Sequence, residues 1–289
     1  MPSGSAASRT VAQRLHDSMA SLSPQERRAA RALMADYPGV GLSTSADLAQ
    51  AAGVSPATVV RFARAVGYSG FADLQAALLA ELTDRRASPI SRYAAESGVG
   101  SDGHWLDRGL ELTCQAVRQS LGHIPHAEVD AAVDLLADAS KRVTCVGGRY
   151  SVIVAQYLAI HLQQLRPGIT SRADAQGFGM ASTIDVGRHD VYVIYDMRRY
   201  QRSTVDLARR LRSRGARIIL ITDPWLSPAA SVAEIVLPTS VESPSPFDSM
   251  APAFVLSELL IGAVLSRLGE PAVRRMSDFE EASGYEMLP

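Results

Sequence analysis

The sequence predicts two folded units of different class: an all-α domain, then a three-layer α/β/α domain built on a parallel sheet. Three observations predict it. From Thr10 to about Leu82 the apolar residues recur at helical spacing, divided by short Gly, Ser and Pro punctuation into roughly five helices. Beyond residue 140 the period changes, and near-continuous apolar runs alternate with amphipathic stretches long enough for right-handed crossovers. Between them, residues 83–103 (TDRRASPISRYAAESGVGSDG) lose apolar periodicity and gain Ser, Gly and charge, marking a linker between a domain over 1–82 and one over 104–289. A chain of 289 residues is long enough for two separate cores.

Charge sets limits on partners. With 29 basic and 30 acidic residues, no whole-protein field draws the chain to nucleic acid or to a membrane, so any basic site is local. Lys141 is the only lysine, and in so arginine-rich a chain a single arginine is weak evidence for phosphate binding. Residues 1–86 hold nine arginines against seven acids, a slight positive excess. Cys114 and Cys145 fall in a helix-like and a strand-like segment, so they read as reduced core residues rather than as a disulfide or a metal pair. No basic segment precedes an apolar core at the N-terminus, and the apolar stretch 249–269 is interrupted by Pro252, Glu258 and Arg267. The expectation is a cytoplasmic protein without membrane, cofactor, metal or catalytic residues.

Taken in order, the helical elements have clear starts. Ser23-Pro24-Gln25-Glu26 is a capping box with proline at the first helical position, opening a helix to about Asp36. Thr44 and Asp47 repeat the spacing and open a helix that groups Leu48, Ala51 and Ala52 and stops at Gly53, which can turn left-handed. Val54 turns inward, Ser55 caps the next helix with its hydroxyl toward the amide of Thr58, and Pro56 occupies the first turn. Val59, Phe62, Ala63 and Val66 form the apolar stripe of that helix. Its other face carries Ala57, Thr58, Arg61 and Arg64. Small residues followed by arginines let a helix lie deep in a major groove, with amides and hydroxyls on phosphates and guanidinium groups on guanine edges. Ser55, Ala57, Thr58, Arg61 and Arg64 are therefore the candidate contacts to double-stranded DNA; the plain alternative is a pair of small helices with solvated arginines.

In the second half, helices are expected at about 104–121 and 126–139, strands at 142–147, 190–196, 216–222 and 233–238, and crossover helices at 150–166 and 201–214. In such a domain ligands bind at the carboxyl ends of the strands. A helix over 251–268 shows Phe254, Leu256, Leu259, Leu260 and Val264 on more than one face, so it is either central core or a dimer contact.

The stretch LSTSADLAQAAGVSPATVVRFARAVGYSGFADLQ resembles the helix-turn-helix of RpiR-type bacterial transcription regulators, in its Gly-Val-Ser turn, its Thr-Val-Val-Arg-Phe run and its Gly-Tyr-Ser-Gly-Phe exit. The resemblance implies that the second domain is a sugar isomerase (SIS) domain, and it favours the dimer role for 251–268, giving a homodimer or a dimer of dimers. In SIS domains a Gly-rich loop after the first strand and a serine at the following helix start hold a phosphate. Gly147, Gly148 and Ser151 match in type, with bulky Arg149 and Tyr150 between them; a tight strand-to-helix turn is the plain reading of the same residues. Phosphosugar-binding members carry Ser-x-Ser-Gly-x-Thr after the next strand, and the corresponding positions here are Asp196, Arg198, Arg199 and Gln201. Asp196 adds negative charge, while the two arginines can grip a carboxylate or phosphate by side chain or pair with Asp196 and close the pocket. Thr222, Asp223 and Ser227 resemble the third loop, where Asp223 before proline also suits a turn. The resemblance thus implies a DNA-binding regulator controlled by a small anionic, sugar-derived effector. Two other readings are a sugar-phosphate isomerase, for which Glu242 and His161 are the available bases, and a dimerising scaffold with a dead pocket.

Overall fold

The structure, a computed structural model, describes residues 10–19, 21–35, 37–96, 104–172 and 183–284. It divides into two compact units: the residues up to Ala95 together with Pro224–Ser231, and Glu96–Asp223 together with Val232 onward.

The helical unit contains α1 (Val11–Ser18), α2 (Pro24–Ala35), α3 (Ser45–Ala52), α4 (Pro56–Ala65), α5 (Phe71–Arg86) and α6 (Pro89–Glu96). The expected starts are present. Ser23 N donates to Glu26 Oε2 at 3.0 Å, and Glu26 N reaches Ser23 Oγ at 3.4 Å. Thr44 and Asp47 form a reciprocal box at α3, and Gly53 ends that helix at φ 62, ψ 40, the left-handed region where a side chain costs most. Leu15, Leu33, Leu48, Val59, Phe62, Val66, Leu74 and Leu78 meet in one core. In α3 the buried pair is Leu48 and Ala49, and Ala51 is exposed. The helix packs against both α2 and α4, so its buried face is displaced from the expected one. Asp36, the expected end of α2, lies outside the described residues.

The expected linker is largely helical. α5 runs on to Arg86, and Ser88-Pro89 starts α6 as Ser23-Pro24 starts α2, with Ser91 N donating to Ser88 Oγ at 3.1 Å. Residues 97–103 of that stretch lie outside the described residues.

Among the described residues the second unit holds five parallel strands, β1 (Arg142–Gly147), β2 (Ile169–Arg172), β3 (Asp190–Asp196), β4 (Arg217–Thr222) and β5 (Ile235–Pro238), in the order β2-β1-β3-β4-β5. β2 was not expected. It is a four-residue edge strand of sequence ITSR with Ile169 buried, and an edge strand covered on one side lacks the apolar run that signals the others. The helices are α7 (Trp105–His123), α8 (His126–Ala137), α9 (Val152–Leu165), α10 (Arg202–Ser213), α11 (Ala251–Leu268) and α12 (Glu270–Ser283). α9 packs on β1 to β3, α10 on β4 and α8 on β5. α11 is long and apolar enough to cross a bilayer by length and composition. Here it lies against α7, α8 and α9 and buries Leu256, Leu260 and Val264.

Arginines close the amino ends of the strands. Arg142, first in β1, holds Asp190, first in β3, through Nε–Oδ1 at 2.8 Å and Nη2–Oδ2 at 2.9 Å, a two-pronged geometry suited to guanidinium and carboxylate. Arg217 at the start of β4 pairs with Glu234. Arg166 is 2% exposed, and donates from Nη1 to Leu136 O at 2.7 Å and from Nη2 to Lys141 O. These cations serve the sheet.

In the helical unit Glu81 accepts from the amide of Val11 and the hydroxyl of Tyr37, tying α1 to α5. Burial raises its carboxyl from 4.5 to about 6, against the lowering effect of these two bonds. A raised acid pKa means that the folded chain binds this proton more tightly, so the stabilisation is complete below about 4.5 and is lost as pH rises through about 6. Thermal melts of the full chain are expected to show the wild type losing on the order of 1–2 kcal/mol relative to Glu81→Gln across that interval. Parallel pH profiles for the two proteins would rule this out.

Candidate functional site

The turn between α3 and α4 exposes four of the five residues expected to contact DNA. Ser55 caps α4 by accepting from Thr58 N at 3.2 Å, and Ser55, Ala57, Arg61 and Arg64 are exposed. Thr58 is not. It is 1% exposed, because its hydroxyl lies between Ser55 Oγ at 2.9 Å and Gln25 Oε1 of α2 at 3.3 Å. The same oxygen accepts from Arg61 Nη2 at 3.0 Å. Thr58 is thus a support for Arg61 rather than a surface contact. Glu26 lies close enough to Arg61 for the cation to help lower its carboxyl, after the larger effect of the Ser23 hydroxyl. Arg64 donates from Nε to Ser69 O at 3.2 Å and braces the exit turn. Gln25 and Glu26 were legible as a helix start, but nothing in their spacing placed them beside α4.

In the α/β unit the strand order puts the switch in connection direction between β1 and β3, the place where open α/β sheets bind ligands at their carboxyl ends. Gly147 follows from close approach. A Cβ on Gly147 would stand 2.3 Å from Val152 N, inside the start of α9. One on Gly148 would lie 3.8 Å from the side-chain amide of Gln201, so Gln201 reaches from the β3–α10 turn to the β1–α9 turn.

Ser151 is 4% exposed and engaged on both sides: its Oγ accepts from Gly148 N at 2.8 Å and donates to Tyr195 O at 2.8 Å. A hydroxyl has one proton, and here it is used on the end of β3. The Ser151 hydroxyl thus joins the turn after β1 to the end of β3. The other strand ends are laced in the same manner, Thr222 Oγ1 donating to Asp196 O at 2.6 Å and Thr239 N to Thr222 O at 2.7 Å.

The second loop is more charged. Asp196 ends β3 and is 3% exposed, and Tyr200 donates to Asp223 Oδ1 at 2.6 Å. Arg198 is 8% exposed and pairs with Asp248, a residue of the β5–α11 segment that no sequence signal linked to it. Of the two arrangements open to the arginines, Arg198 adopts the closed one, with Asp248 as an acidic partner. Arg199 is exposed and takes φ 66 at the position that the resemblance aligns with glycine. Gln201 caps α10 without a side-chain bond to its amides. Within the first turn of α10, Thr204 is 1% exposed and its hydroxyl has no hydrogen-bond partner among the described residues. Ser227 accepts from Ala229 N at 3.1 Å and serves its own turn. Glu242 is exposed, and His161 lies off the buried stripe of α9, edge-on to Tyr157 at 4.6 Å.

Two substitutions separate these roles. Ser151→Ala is expected to cost about 1–3 kcal/mol in urea unfolding, since Gly148 N and Tyr195 O both lose a buried partner. Arg199→Gly, by relieving a left-handed side chain, is expected to be neutral or stabilising by up to about 1 kcal/mol. The reverse order of these effects would contradict both assignments.

Residues 9–85 match the helix-turn-helix domain of the rpiR family, and residues 135–263 match the SIS domain. Among solved structures the chain is similar to the NanR protein of Vibrio vulnificus complexed with ManNAc-6P, at 21% identity over 95% of this chain and 98% of that one, with a TM-score of 0.57. It is also similar to the sugar isomerase domain of an RpiR transcription factor from Sphaerobacter thermophilus, at 21% identity over 61% of this chain and 98% of that one, with a TM-score of 0.55. A curated relative, the bifunctional protein glk of Paraburkholderia xenovorans, is 28% identical over 233 residues, 80% of this chain and 35% of that protein. The chain spans about a third of the length of the curated relatives it matches. The two domain matches lie in the order that the fold shows: the chain carries a helix-turn-helix domain of the rpiR family followed by a SIS domain.

Proposed function

We propose that this chain is a cytoplasmic transcriptional regulator that binds double-stranded DNA through α4 and responds to a sugar-derived anion held at the carboxyl ends of β1 and β3. The observation that carries the first part is the exposed Arg61 and Arg64 edge of a helix whose entry is secured by the Ser55 cap and the buried Thr58. Preorganised arginines on a small-residue helix are the groups that read guanine edges.

The anion is supported by the first turn of α10, where the end of a 12-residue helix offers amides, Gln201 bonds none of them with its side chain, and the Thr204 hydroxyl has no partner among the described residues. A sugar phosphate fits this chemistry, and the similar NanR protein is complexed with one. Sensing without isomerase turnover is supported by the placement of the two available bases: Glu242 is exposed in the loop after β5, and His161 lies beside Tyr157 on α9.

The partner in assembly is a second copy of the chain. α11 buries one side and leaves Leu259 55% exposed, and α9 beside it leaves Ile153 and Ile160 exposed, a shared apolar face of the kind that closes a two-fold dimer. Arg61→Ala is expected to weaken cognate-duplex retardation by about 1–3 kcal/mol with the melting curve unchanged. Silence of both Arg61→Ala and Arg64→Ala would remove α4 from the groove. Leu259→Arg is expected to convert the sedimenting species from dimer to monomer; an unchanged sedimentation coefficient would place the dimer contact elsewhere.

A further inference from the structure

A buried guanidinium needs a counter-anion. Arg198 is 8% exposed, with its side chain at 4%, and the counter-anion is supplied from within the chain by Asp248, 50 residues further on. The two sit in different contexts. Arg198 lies in the turn between β3 and α10, in the loop cluster at the carboxyl ends of the strands, on the position where the resemblance places a ligand-holding hydroxyl. Asp248 lies in the segment 239–250, which has no helix or strand and leads directly into α11 at Ala251. That segment is anchored near its start by Ser240 N on Ser120 Oγ of α7 at 2.8 Å, and near its end by Ser249 N on Val241 O at 3.0 Å.

We propose that Asp248 is an internal stand-in for the effector's anionic group, and that the effector binds by exchanging with Asp248 on Arg198. This rests on reading the α/β unit as an anion sensor. The exchange balances charge: the ligand anion takes over the guanidinium, and the Asp248 carboxylate moves out to water. Asp248 thereby sets specificity. A neutral sugar brings no charge to exchange for the Asp248 carboxylate, whereas a phosphate, with more charge and a matching pair of oxygens, does. The exchange also carries a signal, because Asp248 precedes α11 by three residues and its release loosens the segment that enters the proposed dimer helix.

The test uses the full chain, inorganic phosphate as probe, and chloride at equal ionic strength as control. In titration calorimetry Asp248→Asn is expected to bind phosphate about tenfold more tightly than the wild type, and Arg198→Met to lose phosphate binding. Asp248→Asn is also expected to melt lower than the wild type without phosphate and to recover with it. In the wild type, hydrogen exchange over 241–250 is expected to quicken on saturation with phosphate, a readout that needs no variant to fold. Equal phosphate affinity in wild type and Asp248→Asn, retention of binding in Arg198→Met, or unchanged exchange over 241–250 each overturns the proposal. None of these results bears on DNA retardation by α4, on which the regulator reading separately stands.

Discussion

The hydroxyl of Ser151 joins the first turn of α9 to the last carbonyls of β3, and the carboxyl edge of the sheet depends on that bond. A parallel strand that ends inside a protein leaves carbonyls without a ladder partner, and burying them unpaired costs more than the bond returns. The chain answers with hydroxyls from the neighbouring turns, Ser151 on Tyr195 O and Thr222 on Asp196 O. Gly147 follows from the same constraint, since the start of α9 must come within 2.3 Å of where its Cβ would be. With that hydroxyl engaged, the proposed anion site rests on Gln201, the first turn of α10 and the Arg198–Asp248 pair.

The arginines divide by environment, and the magnitudes favour that division. Exposed ion pairs contribute little, whereas a buried cation must be matched or it destabilises strongly. Arg166, at 2% exposure, caps a carbonyl in the last turn of α8 and one in the turn before β1, and Arg198 is matched by Asp248. Arg61 and Arg64 keep their guanidinium groups at the surface, restrained by single bonds to Thr58 and Ser69. A cation restrained at the surface can change partners at low cost, which is what a groove-reading side chain requires.

α4 is supported from behind by its own unit. Thr58 transmits the position of Gln25 on α2 to Arg61, so the exposed face of α4 is set by packing between α2 and α4 as well as by the cap. Glu81 provides the corresponding tie between α1 and α5, at the cost of a buried carboxyl whose pKa rises to about 6.

Local chemistry was legible wherever one short segment decides the geometry. The Ser23, Thr44 and Ser55 caps, the left-handed Gly53, the stripe of Val59, Phe62, Ala63 and Val66, and four of five strands follow from periodicity and from the preferences of single residues. Ser88-Pro89 belonged to the same class and was hidden by the polar character of its surroundings. β2 escaped because an edge strand needs only one apolar residue. The sequence by itself determined which residues could cap, turn or bury. Only the tertiary structure decided which polar groups are already used: Thr58 by Gln25, Ser151 by Tyr195, Arg198 by Asp248. The physical reason is that a hydroxyl or guanidinium has few bonds to give, and its partner is chosen by proximity across 33, 44 or 50 residues of chain, which spacing in the sequence does not encode.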